Sequence, residues 1–289
     1  MIVKTFLKKA ALLAVIVVAA AGLAGCGKTA DKGAAGGADA NAKKTVRVAF
    51  TNYYVPYDFV NADGKPDGIE VQILKEVEKL LPQYQFTFVP TSDDDLLIGV
   101  ESGKYDVGIK GVWQTEARKA KFIFPKNNIA ASVIGLTFRK SDAAKISDMD
   151  SFGKLGGKLV PVAPQNAQYA IIEDYNKKHP DTQIKLLPSE SFQIADAYTW
   201  VLEGRYDAFF DIELAYKNNV VDPKGAYHKF NDQLAYVRYK AIPTYPIFNK
   251  KNQELSDAYD KAVEQLAQSG KISELQQKYF GEDLLKLVK

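Results

Sequence analysis

Glu101-Ser102-Gly103-Lys104-Tyr105-Asp106-Val107 and Leu202-Glu203-Gly204-Arg205-Tyr206-Asp207-Ala208 are two versions of one joint. Each reads as the end of a helix, a glycine, a basic residue, and a buried strand opened by Tyr-Asp. Glycine takes the left-handed conformation that closes a helix, and a cation beside it suits the negative helix end. Used twice, the joint predicts two similar lobes. Before its first copy, Thr45–Phe50 alternates as a strand and Asn61–Gly68 is turn chemistry. Ile69–Leu81 carries apolar residues at helical spacing up to Pro82, Gln85–Pro90 is a strand, and Asp93–Ser102 is a short helix. Tyr105–Lys110 forms a third strand. After residue 140 the alternation restarts, with strand Lys158–Val162, helix Gln168–His179, strand Gln183–Leu187, helix Phe192–Glu203 and strand Tyr206–Asp211. Amphipathic helices follow at Leu255–Ala267 and Ile272–Phe280. Such alternation predicts parallel βα units. About 245 residues from Thr45 onward is the size at which one core stops growing, so an α/β fold in two lobes is expected.

The N-terminus sets the compartment. Lys4, Lys8 and Lys9 precede an apolar run from Ala10 to Ala21, and Leu23-Ala24-Gly25-Cys26 closes it. This is the layout of a secretory signal peptide over residues 1–25, and the run is shorter than the roughly 20 residues of a spanning helix. Leu-Ala-Gly-Cys resembles the bacterial lipobox, which implies cleavage before Cys26 and lipidation of its thiol. Acyl chains contribute ~0.8 kcal/mol per buried CH2, so two or three of them hold a protein at the membrane. Cys26 is the single cysteine in the sequence, which leaves no disulfide. Residues 26–44 read as the lipidated cysteine and a flexible Gly/Ala/Asp/Lys tether. Of 38 Lys and Arg, three lie in the signal peptide, and the remaining 35 balance 35 Asp and Glu. A formally neutral mature part gives no reason to expect nucleic acid as a partner.

Further segments carry a family resemblance. Val46-Arg47-Val48-Ala49-Phe50-Thr51 with Tyr54, Pro56-Tyr57 and Asp63-Gly64-Lys65-Pro66-Asp67-Gly68-Ile69 open the folded part. Gly103-Lys104-Tyr105-Asp106 is followed by Thr115-Glu116-Ala117-Arg118 and Phe122-Ile123-Phe124-Pro125. Gly204-Arg205-Tyr206-Asp207-Ala208 and the tail, Leu266–Ile272 through Lys278-Tyr279-Phe280-Gly281, complete the series. In this order the segments resemble the family 3 extracellular solute-binding proteins, polar amino acid receptors of ABC importers. The resemblance implies a two-lobe periplasmic binding protein-like (type II) α/β fold, with a ligand cleft between the lobes and a two-strand hinge. Lobe 1 is then expected at residues 45–138 plus 239–289 and lobe 2 at 139–238, with crossings near Thr137–Arg139 and Tyr236–Arg238.

The same resemblance assigns a site. A zwitterion leaving water needs a cation for its carboxylate and an anion for its ammonium. Charged hydrogen bonds contribute roughly 1.5–3 kcal/mol each, against about 8 kcal/mol for micromolar binding. Arg118 falls at the family's carboxylate-binding arginine, whose planar fork matches a carboxylate with two parallel bonds; the other reading is a surface arginine paired with Glu116. Asp211 falls at the aspartate that accepts the ligand ammonium, while Asp106 and Asp207 are expected to anchor the joints. Tyr54 matches the aromatic wall, or is plain packing. Trp113 is either a cleft wall over the ligand stem or a buried structural residue. Lys110-Gly111 stands in place of a small hydroxyl pair, so carboxylate contacts are expected from backbone amides and Lys110. Asp93 stands where relatives carry an apolar or aromatic wall residue. Ala163–Gln168 replaces a Gly-Thr-Thr turn, and Asn166 and Gln168 at a helix N-terminus offer donors to an anion. Lys110 and Asp93 suggest a polar ligand side chain, or are solvated surface charges.

The expected protein is therefore an extracytoplasmic, membrane-anchored monomer that binds a polar amino acid, with cystine and charged amino acids as the candidates. It is expected to meet the importer's membrane subunits and to carry no cofactor or metal. The alternative is an enzyme on the same fold, such as a cyclohexadienyl dehydratase, with Glu70, Glu190 or Glu213 as the acid. His179 and His228, the only histidines, lie in predicted surface segments and argue against a His-based triad. No second hydrophobic segment appears, so the sensor domain of a receptor kinase is not expected.

Overall fold

The computed structural model describes residues 43–164, 166–188 and 194–288. The predicted export signal, Cys26, the tether up to residue 42, Gln165 and Glu190 lie outside the described residues. No helix among the described residues is long and apolar enough to cross a membrane.

The first lobe opens with β1 (Lys44–Thr51) and a small ribbon of β2 (Tyr53–Tyr54), β3 (Asp58–Val60) and β4 (Pro66–Asp67). It continues through α1 (Ile69–Leu80), β5 (Tyr84–Thr91), α2 (Asp93–Ser102), β6 (Val107–Trp113) and α3 (Glu116–Lys121). The strand β7 (Ala130–Arg139) crosses to the second lobe, which holds α4 (Met149–Lys154), α5 (Ala167–Lys178), α6 (Ile194–Leu202), β8 (Ala208–Ile212) and α7 (Glu213–Tyr216). The strand β9 (Leu234–Phe248) returns, and α8 (Gln253–Gln268) and α9 (Lys271–Phe280) pack against α1. The main sheet has the order β5-β1-β6-β9-β7-β8. Its β5-β1-β6 part is parallel, and β9, β7 and β8 join antiparallel. Val48, Phe50, Ile73, Leu74 and Tyr259 centre one apolar core, and Leu136, Phe138, Phe152, Ile172 and Phe210 the other.

The repeated joint has a shared hydrogen-bond pattern. Gly103 and Gly204 sit at φ +83° and +73°. The Asp106 N–H donates to the Arg47 carbonyl (2.9 Å), and its carboxylate accepts the Arg47 N–H (2.8 Å). Asp207 does the same with Lys158, at 2.8 Å in each direction. Arg47 and Arg139 clamp the two aspartates and neighbouring carbonyls. Asp106 and Asp207 thus fasten helix end to strand, which is why the motif recurs.

The second lobe departs from the sequence expectation. Lys158–Val162 and Gln183–Leu187 form only single bridges, Leu159 with Ala208 and Val162 with Pro188. Pro161, Pro164 and Pro188 have no N–H to give a ladder, so extended chain does not become strand. The strands that join the lobes change register. β8 pairs with Ile134–Phe138, and Thr137–Arg139 face Leu234–Tyr236 on the second-lobe side. The register of β7 and β9 shifts between Ile134 and Gly135, leaving Tyr239 as the extra residue. Glycine is required there because a Cβ on Gly135 would run into the Val237 carbonyl.

One packing defect gives a prediction. Gln276, on the buried face of α9, is fully excluded from solvent, and neither its amide oxygen nor its nitrogen has a partner among the described residues. A buried unpaired amide costs roughly 1–3 kcal/mol. Gln276→Met keeps the length and removes the polar atoms, so it should raise the urea unfolding midpoint. A lower midpoint would show that the amide is satisfied in solution.

Candidate functional site

The end of β6 and the start of α3 build the first-lobe side. Thr115 caps α3 by accepting the Arg118 N–H (3.3 Å), which fixes Arg118 in the first turn. Its Nη1 donates to the Trp113 carbonyl (2.8 Å). Glu116 pairs instead with Lys119 at 2.8 Å, so Arg118 has no acidic partner among the described residues. Burial pulls its pKa below the ordinary guanidinium value, although an arginine stays charged. A half-buried guanidinium with spare N–H donors is suited to an incoming carboxylate.

Gly111 lies beneath Tyr54. It takes φ +61°, and a Cβ there would approach the Tyr54 ring to 2.9 Å. Tyr54 stacks on Tyr57, ring centroids 4.7 Å apart, and the Tyr57 hydroxyl donates to the Ala131 carbonyl (2.8 Å). The Tyr54 ring is thus held from both sides. Lys110 and Asp93 form an ion pair of 2.8 Å, with the Lys110 side chain mostly covered and Asp93 half exposed. Trp113 is buried in the same apolar cluster as Ile134 and Leu136, and its carbonyl, not its ring, meets Arg118.

Across the lobe boundary, β8 carries Asp211 opposite Gly135. Only 7% of the residue is exposed. Burial pushes its carboxyl up to about 6, against the lowering effect of the Ile212 N–H and the Gln168 amide. Its Oδ2 has no hydrogen-bond partner among the described residues. Asn166 begins α5 without a side-chain cap, and no acid occupies the first turn, so the helix dipole there favours an anion. Asp211 is among the charges that raise the Tyr54 hydroxyl pKa, after burial, Tyr57 and Glu70. Arg118 and Asp211 are not paired with each other.

Residues 46–282 match the bacterial extracellular solute-binding proteins, family 3. The chain belongs to this family. The L-cystine-binding protein TcyJ of Bacillus subtilis (strain 168) is 28% identical over 229 residues, 79% of this chain and 81% of that protein. TcyA, an L-cystine-binding protein of the same strain, is 27% identical over 288 residues, 97% and 100% of the two chains. Among solved structures, the probable amino-acid ABC transporter extracellular-binding protein ytmK from Bacillus subtilis aligns with a TM-score of 0.67 at 22% identity, covering 84% of this chain and 100% of that one. That likeness establishes the fold.

This family 3 protein also has residues near the site that the sequence did not single out. The Tyr236 hydroxyl donates to the Asp211 carbonyl (2.9 Å). Tyr198 is fully buried, its hydroxyl has no partner among the described residues, and Asp211 is the largest charge influence on it after burial. On α6 its helical spacing is that of any core aromatic, so nothing local marks it. Two acids considered for catalysis are held by hydrogen bonds within the protein. Glu70 accepts the Gly111 N–H (3.0 Å), and Glu213 is gripped by Arg238 at 2.9 and 2.8 Å, with Glu282 on the same guanidinium. Glu190 is outside the described residues.

Proposed function

We propose that this family 3 protein is the substrate-binding lipoprotein of an ABC importer, capturing a polar amino acid between its lobes, with L-cystine or a charged amino acid as the solute. The observation that carries the reading is the buried Asp211 carboxylate with an unpartnered oxygen in one lobe, set against the acid-free Arg118 guanidinium in the other. Arg118, the backbone at Gly111 and the α5 N-terminus at Asn166 and Gln168 take the ligand carboxylate. Asp211 takes the ammonium, and Tyr54 covers the stem. The names of TcyJ and TcyA favour cystine. The Lys110–Asp93 pair supports it too, since a second amino acid end also carries one charge of each sign.

In this reading residues 45–138 plus 239–289 close on residues 139–238. The ligand binds the closed state better and shifts the population toward it. The importer's membrane subunits meet the closed monomer, and lipidated Cys26 keeps it at the outer face of the membrane. Thermal-shift screening against the twenty amino acids, cystine, ornithine and short peptides, followed by calorimetry, tests the solute; stabilisation by none of them would remove the receptor reading. Cys26→Ser should abolish palmitate labelling in a bacterial host and move the protein from the membrane to the soluble fraction. Retained labelling would contradict the anchor.

A further inference from the structure

Below the Tyr54–Gly111 wall two carboxyl groups are buried together. Asp58 in β3 and Glu70 in the first turn of α1 are both fully excluded from solvent. Glu70 has a donor on each oxygen, the Gly111 N–H on Oε2 (3.0 Å) and the Thr244 hydroxyl on Oε1 (3.3 Å). Asp58 Oδ1 accepts the Thr51 hydroxyl, whereas Oδ2 has no donor among the described residues. The Glu70 N–H donates to the Tyr57 carbonyl (3.0 Å), which sets the two acids side by side, and the Glu70 charge acts on Asp58. Two carboxylates buried together without a cation cannot both stay ionised, so one of them holds a proton. Glu70 is already supplied on both sides, which leaves Asp58 Oδ2 as the protonated oxygen. No cation forms an ion pair with either acid among the described residues. The titratable groups facing the pair from neighbouring elements are phenols: Tyr53, Tyr54 and Tyr57 from the ribbon and Tyr259 from α8, each raised above its ordinary value.

We propose that Asp58 and Glu70 are a proton-sharing positioning pair: the shared proton lets Glu70 hold the Gly111 N–H, Gly111 supports Tyr54, and loss of the proton at alkaline pH loosens this wall and weakens solute capture. The last step rests on the reading of Tyr54 and Gly111 as ligand wall; the first two do not. Burial raises both carboxyls above their usual range, and the Glu70 charge raises Asp58 further. The folded state then holds a proton that the unfolded chain has released. Its stability falls as pH rises from the ordinary carboxylate range through the raised one.

The test follows the Gly111 amide resonance in the ligand-free protein from about pH 6 to about pH 10, in wild type and in Asp58→Asn, whose amide stays neutral. The wild-type resonance should titrate in the alkaline half and the Asp58→Asn resonance should not. A flat wild-type resonance, or the same titration in the variant, overturns the pair, and the wild-type curve decides alone if the variant does not fold. L-cystine titrated calorimetrically should lose at least roughly threefold more affinity over this range in wild type than in Asp58→Asn. Equal losses would overturn the link to capture while leaving the receptor reading intact. Failure of wild type to bind any amino acid at neutral pH would count against the receptor reading, and the pair would stand on the Gly111 titration.

Discussion

Asp211→Asn is expected to weaken solute binding by roughly 10- to 100-fold and to raise the melting temperature of the ligand-free protein at neutral pH. Both effects come from one buried group. With its carboxyl pushed up to about 6, Asp211 is mostly ionised at neutral pH, yet it is covered and one oxygen is unpaired. The displacement from the ordinary carboxylate value corresponds to on the order of 3 kcal/mol held against folding. The sign follows from linkage. A raised folded-state pKa means that stability from this group is full below the unfolded pKa and is lost as pH rises through about 6. Asparagine keeps the shape and removes that loss, so the gain in melting temperature should grow between about pH 4 and 7 and then level. A bound ammonium reverses the balance by supplying the missing donor and charge. Wild-type affinity should therefore fall as pH drops below about 6, and the variant should show no such fall. An unchanged melting temperature together with unchanged affinity would place the solute elsewhere.

Arg118→Ala should cost at least ~1.5 kcal/mol of binding, more than tenfold in affinity, with little change in the melting temperature of the free protein. The guanidinium makes one bond to the Trp113 carbonyl and no ion pair among the described residues, so the fold depends on it little. Arg118→Lys is the sharper probe. It keeps the charge and loses the fork, so affinity should remain below wild type. Calorimetric titration reads both variants, and an unaltered isotherm for Arg118→Ala would exclude it from the site.

The parts of the fold legible in the sequence were those encoded locally. The Gly-basic-Tyr-Asp joint is visible because a left-handed cap and an anchoring aspartate must lie next to each other in the chain. The apolar spacing of α1 and α8 is equally local. The second lobe was harder, because Pro161, Pro164 and Pro188 interrupt ladders that extended, apolar sequence otherwise suggests. The bulge at Tyr239 depends on how two distant strands meet, and neither strand alone announces it. In the proposed site, Arg118, Asp211 and Tyr54 are named by family resemblance. Their surroundings are not. The pairing of Lys110 with Asp93, and the burial of Asp58 beside Glu70, join residues on different elements, and each alone looks like a helix-terminal or surface charge. Trp113 was left between two roles, and its packing against the second core favours the structural one.

Neutralisation of a zwitterion by charges from two lobes can be measured without altering the protein. The amino acid selected by screening, its N-acetyl derivative and its methyl ester would be titrated calorimetrically into wild type at neutral pH. Loss of the ammonium or of the carboxylate should each weaken binding by roughly tenfold or more. An N-acetyl derivative that binds as tightly as its parent would contradict the account, because Asp211 would then have no cation to meet.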